Sequence, residues 1–302
     1  MHDSIAVAMS GGVDSSVAAW LLRQQGEQAV GVTMRLFVPE DLAPGQREQC
    51  HILEDLQDAR TVAGQLGIPH HTLDLSGLFR EQVMEPFVQA YEQGRTPNPC
   101  VTCNRTIKFG ALLEVAGQLG CGRLATGHYA RTERDTGSGR VLLKRAVHPE
   151  KDQSYVLYSL TQEQLSRSRF PLGGLSKEEI RAIAARQGFG NAEKKESQDI
   201  CFIPDGDYAA FLRRYMGREY PPGPFLDQNG RRLGTHEGIV SYTVGQRRGL
   251  GISSEGRLYV KELRPEDNAV VLSDNAALFT RVLTADRLNL IPTDSLSSPI
   301  RA

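Results

Sequence analysis

The chain has 302 residues, 40% of them apolar and 24% charged, with a formal net charge of −1. That length exceeds what one hydrophobic core usually supports, so two domains and a fragment of a third are expected. The composition excludes a disordered or fibrous chain, and the near-zero charge excludes a protein that coats nucleic acid while leaving room for a local basic groove.

The opening MHDSIAVAMSGG carries no basic leader and only a short apolar run. A cytoplasmic protein without a membrane span is therefore expected. Five cysteines, an odd number that includes the C-x-x-C pair Cys100 and Cys103, suit a reducing compartment in which thiols do chemistry. Basic pairs at Arg105/Lys108, Lys194/Lys195, Arg213/Arg214, Arg231/Arg232 and Arg247/Arg248 each read, taken singly, as solvated surface.

In chain order, SIAVAM (4–9) predicts a strand buried on both faces, as parallel strands are. VDSSVAAWLLRQQG predicts a helix closed by Gly26. The cycle repeats with a strand over 29–34, a helix over 48–66 and a strand over 70–75. A helix over 78–91, another after Cys103 and a strand over 123–130 follow. Strands alternating with helices predict a doubly wound parallel sheet that binds ligands at the carboxyl ends of its strands.

Residues 130–146 predict a hairpin around a Gly-rich turn, and DQSYVLYSL (152–160) and SKEEIRAIAARQG (176–188) predict helices. After Phe211, PPGPF, DQNG, GTHEG and GLG punctuate short apolar segments such as GIVSYTV (238–244), the pattern of a small mostly-β domain. The expected boundaries are 1–206 for the sheet domain, 207–278 for the small domain and 279–302 for the start of a C-terminal β-barrel, with no repeat or low-complexity tract.

SGGVDSS (Ser10–Ser16) lies between the first strand and the first helix, where glycines permit close backbone approach and helix N-terminal amides face an anion. The spacing is not that of a kinase-type phosphate loop and no lysine follows. A plain Ser/Gly turn with Asp14 as a cap is the bland alternative. The loop resembles the PP-loop of ATP pyrophosphatases, which split ATP between the α and β phosphates and adenylate a substrate. That resemblance implies pyrophosphate binding by Ser10, Gly11, Gly12, Ser15 and Ser16, with Asp14 holding Mg²⁺.

In TPNPCVTCNRTIKF (96–109) the two prolines predict an extended chain, with a helix starting only after Cys103. A thiol near that helix start and near Arg105 and Lys108 should titrate below the ~8.5 of a free cysteine, which makes Cys103 a candidate nucleophile. In KKESQDICFIP (194–204), Cys201 read alone is a buried apolar residue between Ile200 and Phe202. Read with the other two motifs, it is a second reactive thiol.

SGGVDSS, GVTM, TPNPCVTCNRTIKF, LATGHYA, KDQSYVL, ESQDICFIP and GQRRGLGI, in this order, resemble the tRNA-specific 2-thiouridylases, which sulfurate the wobble uridine of certain tRNAs. The resemblance runs from about Ile5 to the end of the chain. It implies an ATP site over Ala8, Met9, Ser10, Gly11, Gly12, Val13, Asp14, Ser15 and Ser16, with Met34 and Gly127 at the adenine or ribose. It places Asn98, Pro99 and Cys100 at the target base, and His128, Lys151, Asp152 and Gln153 on tRNA, Gln153 and Ser154 starting a segment that orders when RNA docks.

In the family's account, ATP adenylates O2 of the uridine while Cys201 receives sulfur from a partner as a persulfide. Cys103 then attacks that persulfide and releases sulfide at the activated carbon, or the persulfide attacks directly. A Cys103–Cys201 disulfide needs Cα atoms roughly 4.4–6.8 Å apart, hence a closing loop. Many family members carry an aspartate where this chain has Cys100, so a thiol or another group stands in for that carboxylate. Cys100, Cys103 and Cys201 are alternatively three ligands of a [4Fe-4S] cluster, with zinc wanting a fourth such as Cys50. Family members also continue past the point matching Ala302 into a basic, tRNA-touching part of the barrel. A PP-loop adenylating or amidating ligase, and a tRNA-binding sulfur relay without turnover, are the alternative functions.

Overall fold

The computed structural model describes residues 4–42, 52–194, 200–254, 256–296 and 298–300. Its centre is a five-stranded sheet, ordered β3-β2-β1-β4-β7, in which every neighbouring pair is parallel. The strands are β1 (Ser4–Ala8), β2 (Ala29–Arg35), β3 (His70–Asp74), β4 (Cys121–Ala125) and the short β7 (Ser168–Arg169). Ile5, Ala6 and Val7 of β1 are wholly buried, since helices cover both faces of a parallel sheet.

Helix α1 (Val13–Gln24) returns from β1 to β2, and α2 (Ile52–Gln65) returns from β2 to β3. The expected start of α2 near residue 48, together with Cys50, lies outside the described residues. After β3 the chain runs through a long helix α3 (76–92) that includes a π turn at Arg80–Met84. It then crosses back to the other side of β1. The topological switch point therefore falls between the carboxyl ends of β1 and β4, where open α/β sheets bind ligands.

Four expected elements differ from those observed. Helix α4 (99–118) starts at Pro99 and not after Cys103, because Asn98 caps it and proline fits the first helical turn, where its missing N–H costs nothing. Its middle, Cys103–Ala111, is a π-helix, and Gln164 Nε2 bonds the Arg105 and Phe109 carbonyls there at 3.0 and 2.8 Å. Strand β4 ends at Ala125 and not Ala130, since residues 126–129 leave the sheet to approach α1. Residues 152–160 form only a 3-10 turn at Ser154–Val156, because the Asp152 carboxylate takes up the Ala146 N–H and the Ser154 hydroxyl instead of letting a helix propagate. GIVSYTV likewise makes a 3-10 turn at Ile239–Ser241.

The expected hairpin is present as β5 (Ala130–Arg134) and β6 (Val141–Arg145). Helices α5 (Gln162–Ser166) and α6 (Lys177–Arg186) follow, the latter with the Ser176/Glu179 capping box. Helix α7 (Tyr208–Met216) leads into a four-stranded sheet ordered β10-β11-β8-β9, built from β8 (Gly223–Leu226), β9 (Arg232–His236), β10 (Tyr259–Arg264) and β11 (Ala269–Ser273). One apolar core runs from Phe79, Phe87 and Cys103 through Phe202 and Phe211 to Phe225 and Val270, so the small domain packs on the α3/α4 side of the large one. Beyond 278 the described residues contain no strand. No helix among them is long and apolar enough to cross a membrane.

Candidate active site

The loop after β1 turns at Gly11, whose φ of +75° lies in the left-handed region, and a Cβ there would come 2.3 Å from the Asp55 carbonyl oxygen of α2. Gly12 is the N-cap of α1 and has no side chain to block the first amides. The Ser10 N–H donates to Ser15 Oγ at 3.1 Å, and the Ser15 and Ser16 hydroxyls both donate to the Gly12 carbonyl at 3.0 Å. The loop thus holds its own shape.

Gly127, on the loop after β4, lies against the first turn of α1. A Cβ at that position would be 2.9 Å from the Ser15 nitrogen. Met34, next to last in β2 on the opposite side of β1, is partly buried at the same carboxyl edge of the sheet. Two glycine-lined backbones therefore flank the switch point, together with an unobstructed helix N-terminus. A polyphosphate fits such a cradle, with amides and helix dipole turned to its charge.

Three residues beside this loop went unnoticed in the sequence. Asp14 Oδ1 accepts from the Tyr129 hydroxyl at 2.8 Å and from Lys177 Nζ at 2.7 Å, with Lys177 only 6% exposed. Asn191, also buried, donates through Nδ2 to the Gly11 carbonyl and Ser16 Oγ, both at 2.9 Å, while its Oδ1 is buried without a partner. The signal for Lys177 was a cation in the first turn of a helix, where the dipole disfavours it. Asn191 gave none.

His128 sits between Phe109 and Phe170, with Nδ1 2.7 Å from Thr126 Oγ1. Burial, with Lys108 adding to it, holds its imidazole well below its ordinary titration range, so it is neutral. Lys151, Asp152 and Gln153 are half-buried, and Gln153 is tied to Tyr129. Of the basic pairs, Lys194 is held by Asp55 and Asp58 at 2.7 and 2.6 Å, and Arg213 lies 3.1 Å from Glu219. Lys195 lies outside the described residues, as do 196–199.

Asn98 Oδ1 accepts the Cys100 N–H at 3.0 Å and so caps α4. Cys100 is exposed and Cys103 is buried one turn further on. The expected low titration of Cys103 is corrected: burial pushes its thiol up and outweighs the opposing field of Lys108. The helix start that would have helped lies at Pro99, and Arg105 is exposed.

Cys201 is solvent-accessible, although its neighbours Phe202 and Ile203 are fully buried and protein surrounds it on the other sides. It is therefore not an apolar core residue. The surrounding protein pushes its thiol upward, Cys103 and Cys100 push it further, and Lys108 opposes them. Fold closure thus brings the three thiols into one electrostatic neighbourhood. Among the described residues, however, no three or more His, Cys, Asp or Glu side chains gather closely enough to hold a metal ion. The expected cluster ligation by Cys100, Cys103 and Cys201 does not fit this arrangement, and Cys50 lies outside the described residues.

The parallel sheet, its switch point and the Gly/Ser loop that ends β1 define a PP-loop, or HUP-type, α/β nucleotide-binding protein. A family model described as "tRNA methyl transferase HUP domain" matches residues 3–205, and one described as "tRNA methyl transferase PRC-barrel domain" matches residues 209–274. A relative named "tRNA-specific 2-thiouridylase MnmA 1", from Caldanaerobacter subterraneus subsp. tengcongensis, is 48% identical over 302 residues, 100% of this chain and 83% of that protein. One named "tRNA-specific 2-thiouridylase MnmA", from Heliobacterium modesticaldum, is 49% identical over 99% of this chain and 78% of its own length. A third with that name, from Clostridioides difficile, is 44% identical over 100% of this chain and 83% of its own length. The chain belongs to this family of tRNA-specific 2-thiouridylases, and ATP binding follows from its PP-loop membership.

Proposed function

We propose that the chain is a tRNA-uridine 2-sulfurtransferase that spends ATP to replace O2 of the wobble uridine with sulfur. The observation that carries the reading is that Cys103 shares one buried core with Phe202 and Ile203, the residues that follow the distant Cys201, in a PP-loop fold. The sheet domain over 1–206 supplies activation, the small domain over 207–278 backs the Cys201 segment through Phe202 and Phe211, and 279–302 begins a further unit.

Uridine O2 attacks the α phosphorus of ATP and pyrophosphate leaves, its charge met by Ser10–Ser16; Asp14 would hold Mg²⁺, which would supply further positive charge there. A partner protein delivers sulfur to Cys201 as a persulfide. Cys103 attacks the inner sulfur, forming the Cys103–Cys201 disulfide and releasing the sulfane sulfur as sulfide. Two thiol sulfurs are thereby oxidised and one sulfur is reduced. Sulfide adds to C2 and AMP departs with the oxygen, and an external dithiol then reduces the disulfide. Asn98, Pro99 and Cys100 present the base, while Lys151, Asp152 and Gln153 meet the RNA and His128, expected on tRNA, lies buried behind them between Phe109 and Phe170, in a cytoplasmic setting that keeps thiols reduced.

The test is transfer of labelled persulfide sulfur to uridine in a tRNA transcript, with AMP and pyrophosphate as products. Cys103→Ser and Cys201→Ser should each abolish transfer and leave ATP binding intact. Formation of ADP, or full activity after both substitutions, would overturn the reading.

A further inference from the structure

We propose that Tyr129 is a positioning residue that couples the phosphate loop to the segment 151–154, so that ATP and tRNA strengthen each other's binding. The inference rests on the proposed function, since it takes 151–154 as an RNA-facing segment. Tyr129 is 2% exposed and is held at both ends. Its hydroxyl donates to Asp14 Oδ1 at 2.8 Å. Its N–H donates to Gln153 Oε1 at 3.0 Å, and its carbonyl accepts the Gln153 N–H at 2.8 Å.

Gln153 is itself the neighbour of a closed polar knot. Asp152 accepts the Ala146 N–H at 2.8 Å and the Ser154 hydroxyl at 2.7 Å, and this fixes the turn that replaces the expected helix. A continuous bonded path therefore runs from the loop that faces the phosphates to the segment that faces RNA. A buried tyrosine with two rotatable bonds in its side chain is a stiff link, so displacement at one end is felt at the other.

The sign follows from charge. Lys177 Nζ lies 2.7 Å from Asp14 Oδ1 and 5.9 Å from the Tyr129 ring centroid. Polyphosphate competes for that ammonium, and with Lys177 drawn to the phosphates and Asp14 turned to the Mg²⁺ that accompanies them, the Tyr129 hydroxyl is the bond that holds the carboxylate in place. The hydroxyl bond tightens and the Gln153 clamp is fixed in place. Ordering at one site then lowers the cost of ordering at the other, and by linkage the benefit is reciprocal.

The experiment measures the dissociation constant of an ATP analogue with a methylene bridge between the α and β phosphates, by calorimetry, with and without saturating tRNA transcript. The wild-type protein should bind the analogue about fivefold or more tightly when RNA is present. Tyr129→Phe keeps the ring volume and removes the hydroxyl, and with it the bond to Asp14. It should change each single-ligand affinity by less than about threefold while bringing the coupling factor to about one. A melting curve shows that the variant is folded, and a merely structural role for Tyr129 would move that curve and not the coupling. Undiminished coupling in Tyr129→Phe overturns the proposal, as does a wild-type coupling factor of one with RNA bound. RNA that does not bind the wild-type protein at all sinks the proposed function together with this inference.

Discussion

Lys177 Nζ lies 2.7 Å from Asp14 Oδ1, and this contact pins the first turn of α6 to the first turn of α1 beside the phosphate loop. Lysine is almost never buried unless paired, and Lys177 is 6% exposed. Replacing it with methionine leaves the Asp14 carboxylate short of a cation. With Asp14 28% exposed at its side chain, the expected cost is about 2 kcal/mol, below the range for fully enclosed pairs. Urea unfolding of Lys177→Met, Asp14→Asn and the double variant checks this. The double variant should be less destabilised than the sum of the singles.

Gly127→Ala places a Cβ 2.9 Å from the Ser15 nitrogen and 3.0 Å from the Asp14 carbonyl carbon, both backbone atoms that cannot swing aside. The loop after β4 must retreat from α1, which misaligns the cradle. ATP affinity should fall roughly tenfold or more, equivalent to about 1.4 kcal/mol, in equilibrium dialysis. Gly174→Ala, at a position with open space around its Cβ and no left-handed backbone, controls for general effects of glycine replacement.

Among the described residues, Lys108 is the one group whose field lowers both Cys103 and Cys201. Lys108→Met should raise both thiols further and slow iodoacetamide alkylation of exposed Cys201 about threefold to tenfold at fixed pH, since one pKa unit is tenfold in thiolate. Mass spectrometry of the modified peptide reads the rate. An unchanged rate would show that Lys108 does not control these thiols.

Both thiols hold their protons more tightly in the folded protein than in the unfolded chain. Their contribution to stability is therefore complete below the ordinary thiol range of about 8.5 and is lost as pH rises from there toward the folded values. The urea midpoint should fall between pH 7.5 and pH 10, and Cys103→Ser should make that fall shallower.

Asn98 caps α4 through the Cys100 N–H at 3.0 Å. Asn98→Ala should cost about 1 kcal/mol, while Asn98→Asp keeps the cap and most of that stability. If Asn98 also meets the target base, Asn98→Asp should still lose sulfur transfer, because a carboxylate lacks the amide's donors. Denaturation and transfer measured on the same two variants separate the roles.

The sheet was readable because its signals are local. SIAVAM and AVGVTM are short apolar runs and HHTLDL a mixed one, set between helix signals, and each forms a strand within a residue or two of the expected limits. The start of α4 was misread for an equally local reason: proline denies a helix to the residue before it but suits the first turn of the next. DQSYVLYSL has helical apolar spacing, yet Asp152 had bonds to Ala146 and Ser154 on offer that no periodicity reveals.

The same division holds for the site. By itself the sequence determined the kind of loop at Ser10–Ser16, the thiols at Cys100, Cys103 and Cys201 and the family they mark, because residue type and short spacing define all of these. Only the tertiary structure decided that Cys201 is exposed while Phe202 beside it is buried, that burial raises the Cys103 thiol, and that Lys177, Tyr129 and Asn191 brace the loop. Desolvation and long-range pairing depend on which remote segments close around a group, and that is settled only when β4, α6 and the Asn191 turn return to the edge of β1.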